Sequence, residues 1–392
     1  MEIKEQKLKI LMINLPFSGH TNPTLGLAKE LVNQGCQVTY IQAPEWRERV
    51  ILTGAGFVAY DDYPDTLSPT QKEIKSWRAA YNTALRIGSD YDCIIYEILF
   101  FVGKSLADKL QKPSVRLFST FALNQNILNM FAKTGGLYMT SIFRFRLLYR
   151  LLSQVICKKF DLRTNDIIDE IVSNLPELNY VYTVKEFQIL NKEFPDTNYK
   201  FIGPSISHRN SNVHIAFDEI RNPLIYISLG TLLNDSISFY KKCFEAFACE
   251  NVTVILSVGQ NIPLKKLGQI PENFRVYSFV PQLEVLQHTS LFITHGGMNS
   301  VNEAIYYGVP MLVVPVGNDQ PTVANRVNEL GLGKRLNRKK LSSENLRCTA
   351  FDVMNDVKVK KTVQIFQQAM SEAGGNSFAA HEIIDYVRNQ NF

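Results

Sequence analysis

The stretch FVPQLEVLQHTSLFITHGGMNSVNEAIYYGVPMLVVPVGNDQ, Phe279 to Gln320, decides the fold of this chain. Within it an apolar run, Leu291–Thr294, has the length of a buried strand and stops at His295. Two glycines follow, and a helix opens at Asn299-Ser300. Strand, glycine turn and helix start in succession bring several backbone N–H groups to one place. Glycine lets a ligand come close because no Cβ intervenes, and a helix N-terminus attracts negative charge. The layout suits the phosphates of a nucleotide diphosphate. An acidic-amide pair, Asp319-Gln320, closes the stretch.

Working outward, the second half of the chain alternates strand and helix signals, with strands expected at Leu224–Leu229, Val252–Val258, Val276–Phe279, Leu291–Thr294 and Met311–Pro315. The first half shows a similar series at Ile10–Leu15, Val38–Ile41, Phe57–Tyr60, Cys93–Tyr96, Val115–Phe118 and Tyr180–Val184. Strands apolar throughout and separated by helices imply parallel sheets covered on both faces. Two such series in 392 residues predict two doubly wound α/β domains facing across a cleft. The expected boundaries are an N-terminal domain at 1–207, a polar linker at 208–222, a C-terminal nucleotide-binding domain at 223–375, and a terminal helix at 376–392 packing back on the first domain. After the first strand, Asn22 is expected to cap a helix with Pro23 at its first position, which leaves His20 in a loop.

Composition narrows the class. Forty-two basic against 37 acidic residues leave a net charge of +5, with no basic cluster interleaved with aromatics, so nucleic acid is not the expected partner. Six scattered cysteines without a CxxC pair read as buried free thiols in a reducing compartment. The polar N-terminus MEIKEQKLK lacks a signal-peptide core, and cytoplasmic localisation is expected. Leu137–Val155 is aromatic-rich helical text dotted with Arg144, Arg146 and Arg150. It reads as a helical cap over a small-molecule pocket, with contact to a membrane or lipid-like substrate as the alternative.

The motifs HGGMNSVNE, GVPMLVVP and DQ, together with VPQ at Val280–Gln282, SLGT at Ser228–Thr231, GP at Gly203–Pro204 and GHTNPTL at Gly19–Leu25, resemble family 1 UDP-sugar-dependent glycosyltransferases. The likeness covers nearly the whole chain and is nearest the bacterial macrolide and natural-product branch. It implies the GT-B fold and an inverting, metal-independent transfer of a sugar, glucose by expectation or a dTDP-deoxysugar as the alternative. The acceptor would be a hydroxyl of a small hydrophobic molecule such as a macrolide or flavonoid.

The resemblance also implies residue roles. His295, Gly297, Asn299 and Ser300 would hold the diphosphate, Glu303 the ribose, and the Val280 backbone the uracil, with Phe279 in the stacking position. Gln282, Ser228 and Thr231 complete the donor site, while Asp319 and Gln320 would bind the sugar hydroxyls. His20 would be the base, since imidazole titrates near neutral pH and an alcohol needs its proton removed as it attacks.

Relatives orient that histidine with an aspartate at the end of the strand matching Cys93–Tyr96. Here the position holds Glu97, one methylene longer. Three outcomes stay open: Glu97 takes the role, Asp92 substitutes, or the dyad is absent. Asp90-Tyr91-Asp92 is a DxD at the start of a strand and is set aside as a metal motif. Neither metal nor organic cofactor is expected, the UDP-sugar being a co-substrate, and a monomer or weak dimer is anticipated. The rival functions are a GT-B transferase acting on a lipid or cell-wall acceptor, and a nucleotide-sugar-binding protein whose catalytic dyad has lapsed.

Overall fold

A computed structural model describes residues 7–63, 69–134, 146–207, 213–220, 223–230, 237–259 and 262–390. It divides into two compact units. One comprises Met1–Met130, Ser141–Ser205 and Ala373–Phe392; the other comprises Phe131–Thr140 and Ile206–Glu372.

The first unit is built on a parallel sheet of β1 (Lys9–Ile13), β2 (Gln37–Gln42), β3 (Gly56–Ala59), β4 (Cys93–Glu97), β5 (Ser114–Phe118), β6 (Leu178–Val181) and β7 (Tyr199–Phe201). The spatial order is β3-β2-β1-β4-β5-β6-β7. Apolar runs such as KILMI and CIIYE form its centre because both sheet faces are covered, and β4 is buried at every residue. The order reverses between β1 and β4, which pair in parallel from Ile10 opposite Cys93 to Ile13 opposite Tyr96. The carboxyl ends of these two strands therefore flank the crevice where open α/β sheets hold ligands.

The second unit repeats the plan with β8 (Leu224–Ser228), β9 (Thr253–Ser257), β10 (Phe274–Tyr277), β11 (Leu291–Thr294), β12 (Met311–Val313) and β13 (Gly333–Arg335). Its order is β10-β9-β8-β11-β12-β13, with the reversal between β8 and β11. There Thr294 lies opposite Ser228, the last residue of each strand.

Several expectations need correction. The helix after β1 spans Ser18–Asn33, with Phe17 as its N-cap, so Asn22 is not the cap and Pro23 lies inside. The Phe17 carbonyl accepts from the N–H groups of His20 (2.9 Å) and Thr21 (2.8 Å), which starts the helix a turn earlier than proline suggests. His20 accordingly sits on the helix's first turn and not in a loop. β10 ends at Tyr277, which leaves Phe279 beyond the strand. β7 and β13, three residues each, fall below what apolar periodicity reveals. Four cysteines are buried, but Cys249 and Cys348 are exposed; all six are free.

The terminal helix Gly375–Gln390 belongs to the first unit, where Ala379, Ala380, Ile383 and Val387 join the core. Gln34 Nε2 donates to the Ser377 carbonyl at 3.1 Å, and Asn376 Nδ2 to Ser205 Oγ at 2.8 Å, which ties the helix to residues on both sides of it. Of the linker 208–222, only 213–220 and its short turn Phe217–Glu219 lie within the described residues. Arg144 and His208 lie outside them. The helix Arg146–Lys159 buries Ser153, Cys157 and adjoining Phe160 while exposing Leu151 (56%) and Val155 (62%). No helix among the described residues is long and apolar enough to cross a membrane.

Candidate active site

In the first unit the two strand ends at the reversal carry a histidine and a carboxylate. His20 Nδ1 lies 2.7 Å from Glu97 Oε1, with the histidine side chain 25% exposed and the glutamate side chain fully buried. An ionised carboxylate only accepts hydrogen bonds, so Nδ1 carries the proton and Nε2 is the basic nitrogen.

The extra methylene of Glu97 is accommodated by the turn that follows β4. Oε2 accepts from the Leu99 N–H at 2.9 Å, and Oε1 from the Ser119 N–H at 3.4 Å. Removing a carboxylate from water costs several kcal/mol unless donors replace the water. Two backbone N–H groups and the imidazole are those donors. The turn is itself closed by Trp77, whose indole N–H donates to the Leu99 carbonyl at 2.6 Å.

On the histidine side, Asn14 braces the backbone. Its Nδ2 donates to the His20 carbonyl at 3.0 Å, and its Oδ1 accepts from the Leu15 N–H at 2.7 Å. Ser119 Oγ also donates to the His20 carbonyl, at 3.2 Å. Asp92 is not available for the dyad: its Oδ2 accepts from the Lys9 N–H at 2.8 Å, at the opposite end of β1 and β4. Among the described residues no group of three or more His, Cys, Asp or Glu is placed to hold a metal ion.

In the second unit the corresponding ends carry glycines around a histidine. His295 follows β11, with Gly230 after β8 on one side and Gly297 on the other. A Cβ on Gly230 would come within 2.7 Å of the imidazole, and one on Gly297 within 2.6 Å of Nε2. Gly230 also has φ +79°, which favours glycine.

Burial pushes the His295 pKa down to about 4, weakly opposed by the Ser228 backbone. Nδ1 nonetheless makes no hydrogen bond of normal geometry among the described residues. Burial therefore favours the neutral imidazole of His295 at pH 7.

The helix Met298–Tyr306 starts directly beyond the glycine pair. Its N-cap is Gly297, and no side chain caps it. Such a terminus carries roughly half a positive charge. Asn299 and Ser300 lie half-buried on this first turn.

One turn further on, Glu303 is buried and accepts from Gln282 Nε2 at 2.6 Å; the same nitrogen donates to Ser300 Oγ at 3.2 Å. Gln282 begins the helix Gln282–Gln287, immediately after Val280, whose side chain is buried, and Phe279, which is 48% exposed. The exposed ring remains open to stacking, and burial anchors Val280.

Asp319 is the half-buried N-cap of the helix Gln320–Glu329, without a side-chain cap bond. Gln320 is buried, and its Oε1 accepts from the N–H groups of Val316 (2.9 Å) and Gly317 (3.1 Å). Its oxygen is thus used to close the loop. Ser228 closes β8, while Thr231 lies outside the described residues.

The described residues expected to hold the donor thus all lie in the second unit, at or after the ends of β8, β10, β11 and β12, while His20 and Glu97 meet at the β1/β4 reversal. Residues that motif reading missed are Tyr226, Trp77, Asn14 and Ser119. A strand tyrosine or helix tryptophan reads as core, and an N–H donor has no signature in sequence.

Comparison with known proteins decides what this pair of units is. The family model described as "UDP-glucoronosyl and UDP-glucosyl transferase" matches residues 89–369. The chain belongs to that family. Within it, the chain is 33% identical to NDP-glycosyltransferase YjiC of Bacillus subtilis (strain 168), covering 98% of each protein. It is 27% identical to demethyllactenocin mycarosyltransferase of Streptomyces fradiae, over 94% of this chain and 84% of that protein. Among solved structures, the glycotransferase of kitacinnamycin superposes with a TM-score of 0.84 at 27% identity, covering 97% of this chain and 99% of the other. The GT-B fold, the transferase class and the likeness to the bacterial natural-product branch follow from these matches together with the two Rossmann-like units.

Proposed function

We propose that this family 1 glycosyltransferase moves glucose from UDP-glucose to a hydroxyl group of a small hydrophobic natural product, with inversion at the anomeric carbon to give a β-glycoside. The observation that carries the reading is the 2.7 Å contact between His20 Nδ1 and the buried Glu97 carboxylate. With Nδ1 donating to Glu97, Nε2 accepts the acceptor's hydroxyl proton as the oxygen attacks the sugar C1 from the face opposite the diphosphate. Glu97 stabilises the imidazolium that forms. The UDP leaving group is held by the uncapped helix start at Met298 and by hydrogen bonds from His295, Asn299 and Ser300, without a metal.

Relatives named for demethyllactenocin and kitacinnamycin support a natural-product acceptor. Six unpaired cysteines support a cytoplasmic setting. The test is mass spectrometry of reactions pairing UDP-glucose with flavonoid, macrolide and lipid acceptors. A hexose-adduct product with a phenolic or macrolide acceptor is expected, and binding of UDP-glucose with no product from any acceptor would refute the reading.

A second reading, transfer to a lipid acceptor, has one observation in its favour: the exposed apolar stripe of Leu151, Leu152 and Val155, with Lys158 and Lys159 beyond it. Co-sedimentation with anionic vesicles separates the two, since an enzyme for soluble natural products stays in the supernatant.

A further inference from the structure

Gln282 and Glu303 are linked to a tyrosine that lies within the sheet. Tyr226, the third residue of β8, is buried, with its ring parallel to Phe292 of β11 at a centroid distance of 4.7 Å and an interplanar angle of 4°. Its hydroxyl donates to Gln282 Oε1 at 3.1 Å. The other end of the same amide donates to Glu303 Oε2 at 2.6 Å and to Ser300 Oγ at 3.2 Å.

A primary amide has an accepting and a donating end of nearly the same shape, so packing alone does not choose between its two orientations. Turned over, its oxygen would oppose the Glu303 carboxylate, acceptor against acceptor. The Tyr226 hydroxyl can donate to the amide oxygen, and the stacked ring holds that donor in place. The bond from Gln282 to the carboxylate is charge-assisted, and such bonds are roughly twice as strong as neutral ones.

We infer that Tyr226 is a positioning residue for ribose recognition: through Gln282 it holds the Glu303 carboxylate where it accepts from both vicinal hydroxyls of a ribose. A 2′-deoxyribose has one hydroxyl fewer to donate. The donor class selected is therefore the ribonucleoside diphosphate sugars over their 2′-deoxy counterparts. The inference rests on the donor-site reading above and deepens it.

Calorimetric titration of the full chain with UDP and with 2′-deoxy-UDP tests this. The unaltered protein is expected to prefer UDP about tenfold, since a hydrogen bond to a charged group contributes at least that much when it is made. Tyr226→Phe keeps the ring and its stacking. It is expected to weaken UDP about fivefold and 2′-deoxy-UDP less than about twofold, in line with one lost hydrogen bond. Gln282→Met, which leaves Tyr226 intact, is expected to narrow the preference likewise, and adding Tyr226→Phe to it should change nothing further. Equal weakening of both nucleotides, an unchanged preference in both single variants, or additive effects of the two substitutions overturns the inference. Failure of the unaltered protein to bind either nucleotide overturns the donor-site reading instead.

Discussion

The β1/β4 and β8/β11 reversals are the same topological feature built twice, and they are furnished in opposite ways. In the first unit the strand ends carry a histidine with a fully buried carboxylate at 2.7 Å, braced by Asn14, Ser119 and the Leu99 N–H. In the second, burial lowers the histidine's pKa to about 4, and glycine backbones approach its ring. One imidazole has a buried carboxylate at a ring nitrogen; the other is held neutral by burial. Sheet topology creates each crevice, and the residues after each strand decide its chemistry.

The largest expected effect breaks the first reversal. His20→Ala should lower transfer by about 10³-fold or more, within the range for loss of a general base, while leaving UDP affinity nearly unchanged. Near-normal turnover in product-formation assays would place the base elsewhere. Glu97→Gln should lower kcat by about 10²-fold, because an amide can present an acceptor to Nδ1 but cannot stabilise the imidazolium. Glu97→Asp, too short to keep the Leu99 N–H and His20 bonds together, should fall between the two. A rate unaffected by Glu97→Gln removes the carboxylate from the mechanism.

The second reversal is sharpened by pH. An unfolded histidine titrates near 6.5 and His295 near 4, so between these values the unfolded chain binds more protons. Folding stability should therefore drop as pH falls from about 6.5 to 4, by up to roughly 3 kcal/mol from this residue. Denaturant melts of the unaltered protein and His295→Asn across that range isolate the contribution; parallel pH profiles would show that His295 is not buried neutral.

The smallest effect is steric. Gly297→Ala brings a Cβ to 2.6 Å from Nε2, so the ring must shift. UDP affinity is expected to fall about tenfold, a loss equal to roughly 1.4 kcal/mol. Unchanged affinity by calorimetry would mean that the ring position does not matter to the phosphate.

Much of this contrast was legible in the residues. The apolar runs and the glycines after them announced two doubly wound units, because buried parallel strands have no polar face to alternate. Most of the expected donor-site residues lie in one stretch of sequence, Phe279 to Gln320, so the motif spacing brings them together without knowledge of the fold. The dyad was harder: His20 and Glu97 meet only through the β1–β4 pairing, and chain spacing alone left Glu97 and Asp92 as rivals. Register settles it, since Glu97 ends β4 while Asp92 precedes it. Pro23 misled the helix start because proline's preference for a first turn is a tendency that the Phe17 carbonyl bonds override. The charge state of His295 was not legible, because it depends on burial that no local pattern encodes.

The division of labour between the reversals is tested most directly by titrating UDP, in one calorimetric series, into His20→Ala and into the double variant Asn299→Ala, Ser300→Ala. The account predicts affinity close to that of the unaltered protein for the first and at least about tenfold weaker binding for the second, as expected when two phosphate hydrogen bonds are lost. Loss of UDP binding in His20→Ala, or full affinity in the double variant, would contradict it.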